Sequence, residues 1–491
     1  MGPWPIAIST MATQCSTNSI LGAPAFVAFA SGGGLIWLQY ELAVPLAMLA
    51  IILFMMPIFR ALSLVSVYEY LERRFDLATR LTLSGIFQFV RAFATAVTIY
   101  SIGLVIELIS GLSFFWSVMI LGVITLIYDV LGGMRAVIYS DVLQMVILVS
   151  MLLVVLVLLC VDHGGLFEII AQLPTERRQT LDFVHHGIGD GYTFAFWPML
   201  LGGFFLYVSY YGCDQSQVQR ELCAKSVGES QTALLLNGLL RFPVVLLYCL
   251  VGVGIAIHAA QEPAFVTSLP IDNGSPNYNL AVPIYILQSL PSGLIGLALV
   301  ALFAAAMSSL DSVINSLSAS TMEDFVRRFH RGKWSDTKEL WLSRLVTSVW
   351  GIVAIWFSFY VGDIAETVLV AINKIGSLIN GPVLGVFALG LLTKKANGAG
   401  AIIGLIAGFL LNLYCWIAIP LLSWLWWNVF GFLMTFVLGY AISCLFQHMQ
   451  PDNSKQDQLI WSPVSTRSWQ QKHFMLIGWA LFLVIFLWWL Q

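Results

Sequence analysis

The sequence carries few charged side chains. Of its 491 residues only 10% are Asp, Glu, Lys or Arg, whereas 59% are hydrophobic. Soluble domains carry about 25% charged residues, so most of this chain cannot face water. The formal net charge of −3 provides no basic surface for nucleic acid and indicates no other polyionic partner.

Cysteine and histidine do not form recognisable sites. The seven cysteines lie in or beside apolar runs, and their spacing indicates neither a disulfide framework nor a metal site. We interpret them as small apolar core residues. The seven histidines are scattered over loops and the ends of apolar runs. No clustered nucleophile and base is present, so we expect no enzyme, and no obligate protein partner is indicated. A secretory signal with a cleavage site is also absent.

Long apolar runs dominate the sequence. A bilayer core about 30 Å thick needs about 20 apolar residues per helix. The runs therefore predict an all-α polytopic membrane protein with about thirteen transmembrane helices. The predicted spans lie near 4–30, 35–58, 80–110, 113–131, 135–161, 193–214, 229–258, 293–322, 340–362, 364–392, 399–420, 422–446 and 473–490.

Basic residues are distributed unevenly between the two sides. Arg60, Arg73 and Arg74 begin a series of Lys and Arg residues that fall in the loops of one side, whereas the opposite loops hold Arg177 and Arg178. Cytoplasmic loops carry the excess of Lys and Arg in membrane proteins. We therefore predict a cytoplasmic N-terminus and a location in the cell membrane, either inner or plasma membrane.

The first predicted span is too polar for an unbroken helix facing lipid. Its middle reads STMATQCSTNS, and Pro24 follows, which removes a backbone donor. Irregular backbone at membrane depth is tolerated where it is buried in protein or lines a cavity, and transporters build their sites from such broken helices. The alternative is a tightly packed helix whose small residues contact its neighbours.

The eighth predicted span carries the second polar cluster. Ser308, Ser309, Asp311 and Ser312 fall largely on one helical face, and their oxygens suit a small hard cation. For the serines alone a packing seam would explain the pattern, but an intramembrane carboxylate marks function. Asp141 lies at comparable depth in the inner half of the bilayer. Two facing carboxylates there need a cation or a proton, unless Asp141 only bonds to nearby backbone or a loop.

Several segments together resemble the sodium/solute symporters, a family that includes the sodium–glucose, sodium–galactose and sodium–sialic acid transporters. The segments are MATQCSTNS, GGMRAVIYSDVLQ, AAAMSSLDS, YYGCDQSQVQRELCAKS and LGLLTKKANGAGA. The resemblance covers nearly the whole chain and implies one membrane transport domain over 1–491. Its core would be two inverted five-helix repeats, 4–161 and 193–392, followed by three peripheral helices within 399–490.

The resemblance also implies the ligands of one or two coupling sodium ions. One site would use backbone oxygens of Ala12, Cys15 and Ala305 with the hydroxyls of Ser308 and Ser309. A second would use Asp141, Ser308, Asp311 and Ser312. Family members with two coupled sodium ions carry a hydroxyl or similar ligand where this chain has Asp311, so tighter sodium binding or substitution by a proton is expected.

The same resemblance implies a substrate cavity beside the broken first span. Its predicted residues are Gln14, Ser19, Tyr40, Glu41, Glu107, Arg241, Asn373 and Lys374, with Tyr210 resembling an aromatic inner gate. Glu41 resembles the glutamate that sugar-transporting members direct at hydroxyl groups. The sialic acid transporter has an arginine near position 107, so Glu107 argues against sialic acid. Arg91 is interpreted as structural.

The sequence favours sodium-coupled uptake of a sugar, sugar derivative or polyol by alternating access. Arg241 and Lys374 either form structural bridges with Glu41 and Glu107 or bind an anionic group, so a carboxylate or zwitterion is the alternative solute. Two other classes of protein remain open, a transporter-like membrane sensor and a sodium channel. The expected partners are the solute, Na⁺ and the lipid bilayer.

Overall fold

The computed structural model describes residues 1–15, 17–272, 274–330, 332, 334–360, 368–446, 459–461 and 470–491. Within those ranges, eleven helices are long and apolar enough to cross a membrane. The first predicted span is instead interrupted, whereas the sixth is a continuous helical stretch over 196–213 that begins with a π-helical turn. The predicted ends at 361–362 and 364–367 lie outside the described residues. The all-α, multi-pass prediction is confirmed.

The helices follow the predicted spans closely. In chain order they are α1 (Pro3–Gln14), α2 (Thr17–Phe29), α3 (Leu35–Ala61), α4 (Glu69–Arg74), α5 (Leu77–Ser110), α6 (Phe114–Met134), α7 (Ala136–Asp162), α8 (Leu166–Gln172), α9 (Thr175–Arg178), α10 (Gly203–Cys213), α11 (Gln215–Leu222), α12 (Val227–Gln261), α13 (Pro263–Thr267), α14 (Ala281–Ser289), α15 (Ser292–Phe329), α16 (Asp336–Ser358), α17 (Val368–Leu392), α18 (Gly398–Ala418), α19 (Leu425–Leu445) and α20 (Gln471–Leu490). A π-helical turn, Pro198–Gly202, leads into α10, and one short antiparallel hairpin pairs β1 (Ile271–Asp272) with β2 (Ser275–Pro276).

The first span is broken, as its polar sequence predicts. α1 ends at Cys15, where ψ is 61°, and α2 begins at Thr17. The position of the break differs from the one that Pro24 suggested, because α2 continues through that proline. Polar side chains on both sides of the break are buried, which is tolerated because each bonds to a neighbouring helix.

A glycine separates the fourth and fifth spans. α6 and α7 join almost without a loop, and the chain turns at Gly133, where φ is 67° and ψ is 169°. Residues with a Cβ avoid this region of φ and ψ, so the LGG sequence explains why one long apolar stretch forms two helices.

The helices that surround the first span form the core of the molecule. α1 packs against α7, α12 and α15, and α2 packs against α12. α15 in turn lies along the stretch formed by α6 and α7 and along α5 and α16. α18 and α19 pack on each other and on α17, while α20 packs against α3 and α12. The broken span is thus enclosed, and the last three helices lie outside it.

Candidate functional site

A cavity of about 180 Å³ lies beside the break between α1 and α2. Side chains from α3, α5, α10, α12, α15 and α17 complete its wall. The structure brings together most of the predicted substrate residues there, namely Gln14, Ser19, Tyr40, Glu41, Tyr210, Arg241 and Asn373. Cys15, at which α1 ends, also lines it.

Glu107 and Lys374 do not line this cavity. Glu107 lies in the last turn of α5, and its carboxylate accepts a hydrogen bond of 3.1 Å from the Phe114 amide at the start of α6. The Lys374 ammonium lies 5.6 Å from the centroid of the Trp416 ring. Glu107 therefore carries no information about anion recognition in the cavity, and the argument against sialic acid that used it has no structural support.

Arg241 and Glu41 form a buried ion pair in the cavity wall. Arg241 donates from Nε to Glu41 Oε2 at 2.6 Å and from Nη2 to Oε1 at 3.2 Å. Tyr207 donates to Glu41 Oε1 at 3.1 Å, and its ring lies 5.1 Å from the guanidinium. Of the two roles predicted for Arg241, the structure shows the bridge to Glu41. The two opposite charges compensate each other inside the membrane.

A second ion pair lies at the edge of the cavity. Arg91 of α5 donates from Nε to Asp214 Oδ2 at 2.5 Å, and its guanidinium lies 4.8 Å from the centroid of the Tyr210 ring. Arg91 and Asp214 line both the main cavity and a smaller one that includes Tyr68 and Ser209. This pair therefore lies where the two cavities adjoin, and Tyr210 lies beside it in the main cavity.

Three polar groups in the wall lack a hydrogen-bonding partner in the described protein. They are the hydroxyls of Tyr40 and Tyr248 and the amide oxygen of Asn18. All three residues are buried and line the cavity. Buried polar groups in proteins are almost always paired, so these groups are available to water or to a polar ligand.

Carbonyl and hydroxyl oxygens meet where α1 ends against α15. Ser308 Oγ lies 3.4 Å from the Ala12 carbonyl oxygen and 3.0 Å from that of Ala305. Ser309 Oγ lies 3.2 Å from the Thr13 carbonyl oxygen. Both serines are buried, and the described residues contain no group of three or more His, Cys, Asp or Glu that could hold a metal. Such neutral oxygens suit a hard monovalent cation.

Two of the residues predicted for a second cation site, Asp141 and Ser312, contact an arginine. Arg220 Nη2 lies 3.6 Å from Asp141 Oδ2 and also donates to Ser312 Oγ. Its Nε donates to Ser9 Oγ at 2.8 Å, and Ser9 donates to Asp141 Oδ2 at 2.5 Å. Asp141 and Arg220 are fully buried. Thus Arg220, from the short helix α11, already supplies a positive charge between Asp141 and Ser312.

Several residues of the site were missed by sequence reasoning. Arg91 offered a signal, because a charge within a span marks function by default, but it was interpreted as structural. Tyr207 and Tyr248 lie in apolar helices and carry no separate signal. Arg220 lies in an amphipathic segment that is typical of a surface loop, so its burial beneath α1 follows only from the tertiary fold.

Known proteins with similar sequences are sodium-coupled transporters. Residues 1–408 match the model of the sodium:solute symporter family. The sodium/sialic acid symporter NanT of Aliivibrio fischeri is 30% identical over 91% of this chain and 86% of its own. A putative sodium-dependent multivitamin transporter of Drosophila melanogaster is 29% identical over 92% and 81%. The human sodium-coupled monocarboxylate transporter 1 is 30% identical over 84% and 66%.

Solved structures show the same fold. A Na⁺-coupled sialic acid symporter in a substrate-bound outward-open state matches with a TM-score of 0.79 and 25% identity, over 91% of this chain and 90% of that one. Mhp1, a nucleobase-cation-symport-1 family transporter, matches with a TM-score of 0.58 and 11% identity over 94% and 96%. The architecture is that of the LeuT-like transporters. The chain therefore belongs to the sodium:solute symporter family, as a multi-pass sodium-coupled solute symporter with sodium as the coupling ion.

Proposed function

We propose that the protein takes up a small polyhydroxylated solute, a sugar, sugar derivative or polyol, by sodium-coupled alternating access across the cell membrane. The observation that carries the proposal is the set of unpartnered polar groups on Asn18, Tyr40 and Tyr248 in the cavity wall. A solute with several hydroxyl groups would satisfy them in a space that otherwise leaves them unpaired.

The charge balance of the cavity supports an uncharged solute. Arg241 is compensated by Glu41, and Arg91 by Asp214. A neutral solute would leave both ion pairs intact. Breaking either pair would expose a buried charge, which is strongly unfavourable.

A carboxylate-bearing solute is the second candidate, and a specific feature of the arginines favours it. Arg241 directs Nε and Nη2 to Glu41, whereas its Nη1 makes only a long contact of 3.4 Å with the Tyr211 hydroxyl. A guanidinium has five donors, so a solute carboxylate could bind Nη1 while Glu41 keeps its place. The names of the relatives include sialic acid and monocarboxylate as solutes.

We assign the coupling sodium ion to the oxygens between α1 and α15. Ser309 belongs to both the proposed sodium site and the solute cavity, because it lines the cavity and its hydroxyl faces the Thr13 carbonyl oxygen. A sodium ion held by these oxygens would fix the end of α1 against α15 and so complete the wall that the solute contacts. Thermodynamic linkage then requires that bound solute increases the affinity for sodium by the same factor by which bound sodium increases the affinity for the solute.

The membrane potential would drive uptake in the predicted orientation. Each sodium ion carried inward gains about 2.3 kcal/mol per 100 mV, which corresponds to about fifty-fold accumulation of a neutral solute. The cytoplasmic position of the N-terminus is part of this proposal, because it determines which face of the protein meets external sodium.

A ligand screen by thermal shift tests the proposal. Purified protein is heated with sugars, polyols, carboxylates and amino acids, each in sodium and in potassium buffer. Any solute that raises the melting temperature only with sodium is then tested for uptake into proteoliposomes with an inward sodium gradient.

Stabilisation and accumulation of a sugar or polyol are the expected results. A sodium-dependent response confined to carboxylates would replace the first candidate by the second. Sodium conductance without accumulation of any solute would contradict symport.

A further inference from the structure

The short helix α11 is strongly polar and yet buried. Its sequence is QSQVQREL, in which only Val218 and Leu222 are apolar. Burying polar groups is unfavourable unless they are hydrogen-bonded, and apolar side chains of similar volume are often at least as stable in such a place. A helix that only filled space here would therefore be expected to be apolar. The buried polar side chains of α11 are those of Gln215, Ser216, Gln217, Arg220 and Glu221.

α11 extends from the solute cavity to the face of the protein at which the N-terminus lies. Asp214, its N-cap, lines the cavity. At its other end, the Cys223 carbonyl oxygen accepts a hydrogen bond of 2.9 Å from the Met1 amino group. α1 runs between the same two levels and packs against α11, because it begins near Met1 and its last residue, Gln14, lines the cavity. α11 therefore occupies the space that separates the cavity from the N-terminal face.

Arg220 fastens the last turn of α11 to three helices. Its Nε donates to Ser9 Oγ of α1 at 2.8 Å, and its Nη2 donates to Ser312 Oγ of α15. Nη2 also lies 3.6 Å from Asp141 Oδ2 of α7. A single buried side chain thus holds α11 against each of the helices that surround it on this side.

The remaining polar groups of α11 are held less completely. Thr10 of α1 donates to Glu221 Oε1 at a long distance of 3.3 Å. Three side-chain oxygens of α11 have no hydrogen-bonding partner in the described part of the chain. Water would bind these oxygens if α11 moved away from its neighbours, which would offset part of the cost of breaking the contacts of Arg220. They are Oε1 of Gln217, Oε1 of Gln219 and Oε2 of Glu221.

We infer that α11 is the gate that closes the solute cavity on the N-terminal face, and that Arg220 is the positioning residue that holds this gate shut. The inference rests on the proposed alternating access, which requires the cavity to open to each face in turn. Opening would separate Arg220 from Ser9 and Ser312 and expose the surface of α11 to water. A polar helix suits both arrangements, because its side chains bond to protein when the gate is closed and to water when it is open.

The accessibility of the native Cys15 thiol tests the inference. Cys15 is buried in the cavity wall, so a reagent applied to the N-terminal face reaches it only when that face is open. Sealed membrane vesicles of either orientation are treated, without solute, with a methanethiosulfonate that cannot cross membranes. The rate of Cys15 modification is then measured by mass spectrometry of its peptide. Labelling of Lys225 by an impermeant amine reagent identifies the vesicles that expose the N-terminal face, because Lys225 is exposed beside Met1.

Arg220→Gln should accelerate modification of Cys15 from the N-terminal face about tenfold, since losing a charge-assisted hydrogen bond changes the population of the open arrangement by at least that factor. Arg74→Gln is the matched control. Arg74 is also a fully buried arginine, but it donates to carbonyl oxygens around the end of α17 rather than holding α11. Arg74→Gln should therefore lower the melting temperature without accelerating the modification of Cys15.

An unchanged rate in Arg220→Gln would overturn the inference, as would an acceleration of equal size in Arg74→Gln or one seen only from the opposite face. If Arg220→Gln does not fold, Ser9→Ala takes its place, because it removes the hydroxyl that Arg220 Nε contacts. We then expect a several-fold acceleration, and the same results would count against the gate. Faster modification of Cys15 in a protein that accumulates no sugar or polyol would support the gate and contradict only the proposed solute.

Discussion

The Glu41–Arg241 pair offers the sharpest test of how this cavity is held together. Glu41→Gln keeps the shape of the side chain but leaves the guanidinium of Arg241 without a counter-charge. The two side chains are only 1% and 7% exposed, so the cost is that of breaking a buried pair, about 3–5 kcal/mol. The free energy of unfolding, measured by titration of mixed micelles with SDS, should fall by that amount.

A double-mutant cycle separates the pair from its surroundings. Arg241→Met should also be strongly destabilising, because it leaves the Glu41 carboxylate buried and uncompensated. The double variant should be less destabilised than the sum of the single changes, with a coupling energy of about 3 kcal/mol, the upper end for residues in one network.

An exposed ion pair provides the control for this cycle. Arg73 and Glu69 are paired on α4 at side-chain exposures of 40% and 20%, so Glu69→Gln should cost no more than about 0.5 kcal/mol. Additive effects of Glu41→Gln and Arg241→Met, or a cost as small as in this control, would refute the claim that the cavity wall depends on the buried pair.

Three further outcomes follow from the contacts. Ser309→Ala should raise the sodium concentration for half-maximal uptake roughly tenfold, the effect of losing about 1.4 kcal/mol. Ser318→Ala is the control and should leave that concentration unchanged, because the Ser318 hydroxyl lies on another face of α15 and donates to the Ser343 carbonyl oxygen of α16. Gly133→Ala forces a Cβ into the turn between α6 and α7 and should lower the free energy of unfolding by about 1–3 kcal/mol. Gly132→Ala is its control, because the new Cβ there makes an ordinary contact of 3.4 Å. Equal stability of the two variants would contradict this reasoning. Arg74→Ala should lower the melting temperature, because the buried guanidinium donates to the carbonyl oxygens of Gly390, Thr393 and Ala396 around the end of α17. A melting temperature equal to that of the wild type would show that water replaces these hydrogen bonds.

Much of the fold could be predicted from the sequence, because the bilayer fixes the length and polarity of its helices. The break in the first span followed from its run of hydroxyl and amide side chains. Its exact place did not, since Pro24 is a strong local signal that the helix accommodates. The break occurs instead at Cys15, where carbonyl oxygens turn toward the serines of α15.

Part of the candidate site was predictable because a charged residue is costly inside the membrane, and part from the family resemblance. Asp141 and Asp311 stood out because charge within a membrane needs a reason, whereas Glu41 and Arg241 were predicted from the family resemblance. Glu107 was predicted from the same resemblance, but it lies at a helix end, where it contacts a backbone amide. Depth within a span therefore decided which charged residues belong to the site, and the sequence gives depth only to within about a turn.

The arginine beneath α1 changes how sodium is expected to act. Arg220 binds Asp141, Ser9 and Ser312 at once, so it compensates one carboxylate whether or not sodium is present. A sodium ion held by the oxygens between α1 and α15 therefore lies beside a carboxylate that is already compensated. Loss of that ion leaves Asp141 paired, so the contact between the end of α1 and the serines of α15 is the element whose arrangement we expect to respond to sodium.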